Sequence, residues 1–528
     1  MDGSAATAFG ATDAAVAAAA VAVLLGIAYL SGRKERDTRD FFLGGRRVPM
    51  VVAALSLVAT EVSAITITNV PGTGFTENLQ YLQFYIGSAA SKVFVAFLFL
   101  PMFYKHDCTS IYEYLRDRFG APTQYCGSVF FFITRVLGSG ARLYAACLAI
   151  AMIVAPTGAD PQLALAVTLA AFTAVSVLFI AVGGIKAVVW TGAYQAVMFY
   201  GAGLAVIVYV LAHVDGGLAA VADLAGRAGR LSVFNFSGDL NNPTTFWAGT
   251  ANAFFIGLAV FGTDQELVQR LLTVNTRRDS QKALLTTILA ALPVTAIYLL
   301  IGTAMFALFQ QRPDPQLPAA AKGIFPFYIA HYLPAGLKGL MLATIILASI
   351  DAPLASLSSS FVMDIYRPLR PRATPRHYLR VSRLGVVAFG LVLALTAMAC
   401  RHAGNVLWLA FQIISVTGGS MLGVFLVGLL TRGGSSRGNI AAMILNTLAM
   451  TALLLLSSFG PHGLMEFLHV PRLLELLHLE RLLGPGACAP AGEGPIVPLA
   501  WSWLIVVGTA NTFFLALALG KLLPDRRQ

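Results

Sequence analysis

Long apolar runs recur along the whole chain, and short segments that carry most of the charges separate them. An α-helix needs about 20 predominantly apolar residues to cross the hydrocarbon core of a bilayer. Counting such runs predicts about 13 membrane-spanning helices, at residues 14–31, 48–70, 79–104, 125–155, 163–182, 187–213, 246–271, 284–309, 337–363, 381–400, 406–430, 440–456 and 499–519. We therefore expect an all-α polytopic membrane protein.

Composition agrees with this pattern. Of the 528 residues, 57% are hydrophobic and only 12% are charged, which is too few charges to cover the surface of a soluble protein of this size. The net charge of +11 arises from short basic clusters between the apolar runs, as in the cytoplasmic loops that orient membrane helices, and we expect no nucleic-acid partner. The first run has its basic residues behind it, at Arg33, Lys34, Arg36 and Arg39. This order predicts a retained helix in the inner or plasma membrane, with the N-terminus outside.

Ten helices remain when the first helix and the last two are left out, and they form two sets of five, at residues 48–213 and 246–430. Because five is odd, the two sets have opposite orientations, which is the layout of an inverted-repeat transporter core. We expect residues 1–47 to hold a peripheral helix and a basic cytoplasmic loop. Residues 214–245 are predicted as an external loop, and residues 431–528 as two peripheral helices with an external loop.

The first helix of each half carries polar and helix-weakening residues at membrane depth. In the first half these include Glu61, Ser63 and Thr66, and in the second Gly257 and Asp264. A helix that unwinds inside the protein offers backbone carbonyls to a cation and helix N-termini to a polar solute. Glu61 is therefore a candidate coupling group; the alternative is that it forms an ion pair near the cytoplasm.

Two arginines, Arg135 and Arg142, lie seven residues apart and so near one face of their helix. If they face a cavity, they can pair with the carboxylate of a solute. The alternatives are that Arg135 reaches the cytoplasmic surface, or that the arginines pair with Glu61 or Asp264. Residues on other helices complete the expected solute site, although their aromatic rings are equally typical of packing: Tyr85, Ser88, Gly257, Phe261, Phe411 and Gln412.

Serines and one acid interrupt the predicted helix at 337–363, among them Ser349 and Asp351. Hydroxyl and carbonyl oxygens are the hard ligands that sodium needs, but serines in membrane helices also bond to their own backbone. The chain has no P-loop or HExxH motif, and its five cysteines include no close pair. We expect a transporter and not an enzyme, energised by an ion gradient, with a small-molecule solute and the lipid bilayer as partners and a monomer sufficient for function.

Six motifs occur in order along the chain: DFFLGGRR at 40–47, ATEVS at 59–63, SIYEYLRDRFG at 110–120, GGIKAVVWT at 183–191, GTDQELVQR at 262–270 and MDIY at 363–366. With them the chain resembles the sodium:solute symporter family over about residues 41–430. The resemblance implies the fold first seen in the leucine transporter.

The resemblance also implies a sodium site between the first and eighth core helices. Its ligands would be the carbonyls of Ala59, Val62 and Ile345 and the hydroxyl of Ser349. Ala348 stands where the family usually has a second hydroxyl, so one oxygen ligand is missing. Asp351 is the candidate that compensates, which leaves proton coupling as an alternative.

For the solute, Ser63 and Thr66 match hydroxyls that hold a carboxylate in sialic-acid-transporting members. Thr66, Tyr85 and Gly257 stand at positions that bind sugar in sugar-transporting members. Gly192 stands where many members have an aspartate linked with a further cation site, so the chain resembles a one-sodium transporter. We expect sodium symport of a small polar solute by alternating access, with a carboxylate-bearing solute as a hypothesis. The alternatives are a sugar or polyol symporter, a proton-coupled symporter, and a sensor or channel with the same fold.

Overall fold

The computed structural model describes residues 9–32, 38–154, 160–348, 352–402, 406–467 and 500–525, and these contain helices and connecting segments but no strand. Proline and glycine residues cluster between the apolar runs, where they end the helices. The helices in the first half of the chain are α1 (Ala11–Gly32), α2 (Thr38–Leu43), α3 (Met50–Glu61), α4 (Ala64–Thr76), α5 (Phe84–Phe94), α6 (Leu100–Lys105), α7 (Tyr112–Phe119), α8 (Ala121–Val154), α9 (Pro161–His213) and α10 (Gly217–Arg227).

The second half continues with more long apolar helices. They are α11 (Phe246–Gly262), α12 (Gln265–Leu271), α13 (Arg277–Gln311), α14 (Ala321–Tyr332), α15 (Leu337–Leu347), α16 (Ala352–Ser360), α17 (Arg367–Leu369), α18 (Pro375–Ala399), α19 (Val406–Leu430), α20 (Ser436–Phe467) and α21 (Leu504–Leu522). One π-helical turn, Val95–Phe99, joins α5 to α6, and another, Phe361–Tyr366, joins α16 to α17.

Within the described residues, ten helical segments are long and apolar enough to cross a membrane, and two bent helix pairs, α3–α4 and α11–α12, raise the number to twelve. Helix α9 supplies two of the ten, because Gly184 adopts a φ of 50° that only glycine takes readily and so splits it. The one predicted span not in this count, 337–363, corresponds to α15 and α16, and residues 349–351 between them lie outside the described part. The predicted all-helical, multi-pass architecture is confirmed.

The two bent pairs are the first helices of the two halves and lie inside the bundle. Helix α4 packs against α13 and α14, α3 packs against α9, and α11 packs against α5. Glycines allow the closest approaches: a Cβ on Gly87 of α5 would collide with the backbone carbonyl of Thr250 on α11. Small residues of this kind let membrane helices pack backbone to backbone.

Helices α1, α20 and α21 lie outside this core. Helix α1 packs on α9 and α15, and α20 and α21 pack on α19 and on each other. The buried Asp13 carboxylate of α1 accepts hydrogen bonds from the backbone N–H groups of Gly336 (2.8 Å) and Gly339 (3.0 Å) at the start of α15. The N-termini of α1 and α15 are therefore on the same side of the bundle.

Candidate functional site

The first helix break separates α3 from α4. Val62 (φ −87°, ψ 85°) and Ser63 (φ −82°, ψ 172°) leave the helical region, and the axis bends by 54°. The first backbone bond of α4 runs from Ile67 N–H to Ser63 O, at 3.1 Å. A helix end leaves its terminal carbonyls and amides without helical partners, so the carbonyls of Ala59 and Val62 are released from helical bonding at this break.

Glu61, the last residue of α3, forms an ion pair inside the bundle. Both of its carboxylate oxygens accept from Lys92 Nζ on α5, at 2.9 and 2.8 Å, and this amine lies 5.0 Å from the centre of the Phe261 ring. The alternative prediction, that Glu61 forms an ion pair, agrees with this contact, but the sequence analysis did not identify Lys92 as the partner. A lone lysine inside an apolar run is the signal that could have revealed it.

The second break separates α11 from α12 and bends the axis by 64°. Asp264 caps the N-terminus of α12, because its carboxylate accepts a hydrogen bond from the backbone N–H of Glu266 (2.9 Å). This is the usual role of an aspartate at this helix position. Arg135 of α8 forms ion pairs with the carboxylates of both Asp264 and Glu266. This geometry favours the pairing of Arg135 with Asp264 over the binding of a solute, because two protein carboxylates already neutralise the guanidinium.

A cavity of about 180 Å³ lies between the two breaks, and we call it the central cavity. Seven of the predicted solute-site residues line it: Ser63, Thr66, Tyr85, Ser88, Arg142, Gly257 and Phe261. Glu61, the candidate coupling group, also lines the wall, and the rest of the wall consists of Thr60, Tyr81, Phe84, Asn252, Ala253, Ile256, Val260, Leu267 and Ile414. The cavity is smaller than a typical drug-binding pocket, so it has room only for a small molecule.

The wall of the central cavity combines polar groups with apolar side chains. The hydroxyls of Ser63, Thr66 and Ser88 and the guanidinium of Arg142 supply donors, whereas Phe84 and Ile256 supply apolar surface. A few oriented polar groups on an apolar wall are what a small-molecule site needs. A planar guanidinium fits the two oxygens of a carboxylate.

The structure gives less information on the remaining predicted residues. Gln412 lies on α19 and is not among the residues that line the central cavity, and the side chain of Phe411 lies outside the described part, as do Ser349 and Asp351. Ile345 is buried in α15.

A smaller cavity of about 50 Å³, which we call the side cavity, lies next to the first break, with Ala59, Ser63, Glu266 and Ala348 among its wall residues. The carbonyl-bearing break and the end of α15 thus meet at one cavity, where the resemblance places the cation. Among the described residues, no group of three or more His, Cys, Asp or Glu side chains is arranged to hold a metal ion.

Comparison with known structures identifies the fold. The substrate-bound outward-open structure of a Na⁺-coupled sialic acid symporter superposes with a TM-score of 0.79, at 23% identity, over 98% of this chain and 100% of that one. A closed, ligand-bound structure of Mhp1, a nucleobase-cation-symport-1 family transporter, superposes with a TM-score of 0.53, at 14% identity, over 92% of this chain and 96% of that one.

Curated relatives point the same way. Sodium-coupled monocarboxylate transporter 2 of Bos taurus is 29% identical over 77% of this chain, but the match spans only 66% of the bovine protein. The sodium/sialic acid symporter NanT of Aliivibrio fischeri is 28% identical over 82% of this chain and 85% of its own length. The profile of the sodium:solute symporter family matches residues 41–446. The chain belongs to the sodium:solute symporter family.

Proposed function

We propose that this protein is a sodium-coupled symporter of a small organic anion that carries a carboxylate. The observation that carries the proposal is the position of Arg142 in the central cavity, together with the hydroxyls of Ser63 and Thr66 at the first helix break. These groups donate to a carboxylate on one side, while the apolar wall receives the rest of a small solute. Two of the relatives are a monocarboxylate transporter and a sialic acid symporter, which supports this choice of solute.

Sodium is the coupling ion in this proposal. The carbonyls of Ala59 and Val62 are released at the break, and the family resemblance adds the carbonyl of Ile345 and the hydroxyl of Ser349, which lies outside the described residues. Oxygens of these kinds are hard ligands of the type that sodium prefers. Sodium at this position joins α3 to α15 and favours the conformation in which the solute cavity is complete. Coupling requires only that ion and solute favour the same conformational step. Rocking of the two halves then opens the cavity to the other side.

The orientation in the membrane is part of the proposal. We place the N-terminus outside in the inner or plasma membrane, because the basic clusters then lie in the cytoplasm. The contact of Asp13 with the start of α15 supports this arrangement, since both N-termini must lie on one side.

Reconstitution into liposomes tests the function. Purified protein is expected to accumulate a labelled monocarboxylate when an inward sodium gradient is imposed, and not when a proton gradient is imposed alone. A panel of monocarboxylates, sugars, polyols and amino acids identifies the class of solute. Accumulation against the solute's own gradient separates a symporter from a channel or sensor, neither of which concentrates a solute.

Arg142→Ala tests the anion-binding step. We expect the uptake of the carboxylate to fall by at least about tenfold, because a charge-assisted bond contributes about 1.5–3 kcal/mol, and Arg142→Lys to recover only part of it, since lysine lacks the planar fork. Arg227→Ala is the matched control, because Arg227 is exposed and contacts only the neighbouring Asp223 among described ion pairs. Sodium-driven uptake of a neutral sugar that Arg142→Ala leaves unchanged would overturn the proposal.

A further inference from the structure

The side cavity contains buried oxygen atoms that lack hydrogen-bond partners. Glu266 is 2% exposed, and its Oε1 has no hydrogen-bond donor. The hydroxyls of Ser139 on α8 and Thr173 on α9 also have no partner, and all three residues line this cavity. Buried polar atoms are nearly always paired, so several orphans on one cavity indicate an absent ligand.

The other wall of the side cavity adds further oxygens. The carbonyl of Ala59 is released from helical bonding at the first break. The hydroxyl of Ser176 donates to the Phe172 carbonyl (2.9 Å) and keeps its oxygen lone pairs available. Carboxylate, hydroxyl and carbonyl oxygens converge here from four helices, and this is the ligand set of a hard cation.

The charges around Glu266 also favour a cation. Asp264 and Glu266 are two carboxylates that share Arg135, and all three are buried. The trio therefore has an excess of one negative charge, which is costly in a low-dielectric interior. Glu266 is the one acid and Arg142 the one base among the described residues that line the side cavity, so this set of charges favours a monovalent ion over a divalent one, and the orphaned oxygens locate the ion.

We propose that Glu266, with the hydroxyls of Ser139 and Thr173, forms a sodium site in the side cavity. Oε1 faces the ion, while Arg135 holds Oε2 and fixes the direction of the carboxylate. The ion ties the second helix break, through Glu266, to the first break, through Ala59. This inference rests on the proposed function and adds to it a carboxylate ligand supplied by the second broken helix.

The test compares Glu266→Gln with the unmodified protein in two measurements. The sodium concentration that gives half-maximal solute uptake is expected to rise at least about tenfold, because removing the charge weakens a charge-assisted contact. Binding of radioactive sodium to the purified protein without solute should weaken by the same factor. The solute KM at saturating sodium should change by less than about threefold, since Glu266 does not line the central cavity.

Asp223→Asn is the control for loss of a carboxylate. Asp223 is exposed on α10, pairs with the exposed Arg227 and lines neither cavity, so this change should leave sodium binding without solute within about threefold of the original. Ser139→Ala and Thr173→Val remove one orphan hydroxyl each and create no new unpaired buried polar atom. Each should weaken sodium binding by a few-fold, and they provide the test if Glu266→Gln does not fold.

The outcomes separate the two proposals. If the unmodified protein shows no sodium-driven uptake, the proposed function fails. If uptake is sodium-driven but Glu266→Gln, Ser139→Ala and Thr173→Val leave sodium binding unchanged, the site is wrong. If Glu266→Gln changes only the solute KM, Arg142, which borders both cavities, balances the charge of Glu266 in place of sodium, and the inference is overturned.

Discussion

The two helix breaks occupy equivalent places in the two halves but balance their charges differently. At the first break one carboxylate, Glu61, meets one amine, Lys92, and both of its oxygens are bonded. At the second break two carboxylates, Asp264 and Glu266, share the guanidinium of Arg135. The first pair is neutral, and the second cluster keeps an excess negative charge. In the proposals above, the first break supplies uncharged carbonyls and hydroxyls to sodium and to the solute, whereas the second break supplies a carboxylate to sodium.

The largest expected effect comes from removing Arg135, whose guanidinium pairs with both carboxylates of the second break. Arg135→Met removes the partner of two buried carboxylates at once. Breaking a buried pair costs about 3–5 kcal/mol when it leaves one charge unpaired, so a change that leaves two should exceed this range. We expect little folded protein, measured as the fraction that elutes as a single species in detergent. Arg135→Met protein that is as stable as the original would show that this cluster is not charged as described.

The pairing at the first break should produce the next largest effect. Lys92→Met leaves Glu61 without its amine, and we expect a loss of about 3–5 kcal/mol of stability, since Lys92 is buried and Glu61 mostly so. Adding Glu61→Gln should restore much of the loss, because no charge then remains unpaired. Thermal unfolding of both variants in detergent measures the difference. If the double variant is as unstable as Lys92→Met, packing and not charge explains the loss.

Sequence reasoning found the breaks and, as an alternative, the pairing of an arginine with Asp264, but it did not find Lys92 or Glu266 as partners. Polar residues at membrane depth, such as Ser63 and Asp264, reveal where a helix is interrupted, because local chemistry determines this. Partners depend on how helices rotate and at what depth they meet. Arg135 and Arg142 lie near one face of α8, but seven residues separate them by about 10 Å along the axis. Arg135, nearer the N-terminus of α8, pairs with Asp264 and Glu266. Arg142, about two turns further along the helix, lines the central cavity.

The proposed sodium ligands also divide into residues that the sequence indicates and residues that it does not. The motif at 59–63 located the carbonyls of the first break, and the structure places Ala59 beside Ala348 at the side cavity. Glu266 lies within another quoted motif, yet its orphaned oxygen could not be predicted. Whether Oε1 of Glu266 has a hydrogen-bond partner depends on how Ser139 and Thr173, on two other helices, pack around it. A local sequence pattern does not predict such packing between helices.

The smallest expected effect concerns helix α7, which supports the second break from outside the membrane-spanning helices. The backbone N–H of Ile111 donates to Gln265 Oε1 (3.0 Å), and the Tyr112 hydroxyl donates to the Thr263 carbonyl (3.1 Å). On the same helix, burial raises the pKa of Glu113 above its ordinary value of 4.5, although backbone N–H groups oppose the shift. The folded state therefore holds this proton more tightly than the unfolded state does.

This shift has a defined consequence for stability. Because the pKa of Glu113 is raised in the folded state, protonation of Glu113 stabilises the fold. This stabilisation is fully present below pH 4.5 and is lost as the pH rises through the folded-state pKa. Glu113→Gln removes the titration, so its unfolding temperature should fall less than that of the original protein as the pH rises through this window. Thermal unfolding in detergent at a series of pH values measures the difference. Parallel curves for the two proteins would mean that Glu113 titrates normally and that α7 supports the second break through its backbone and Tyr112 contacts alone.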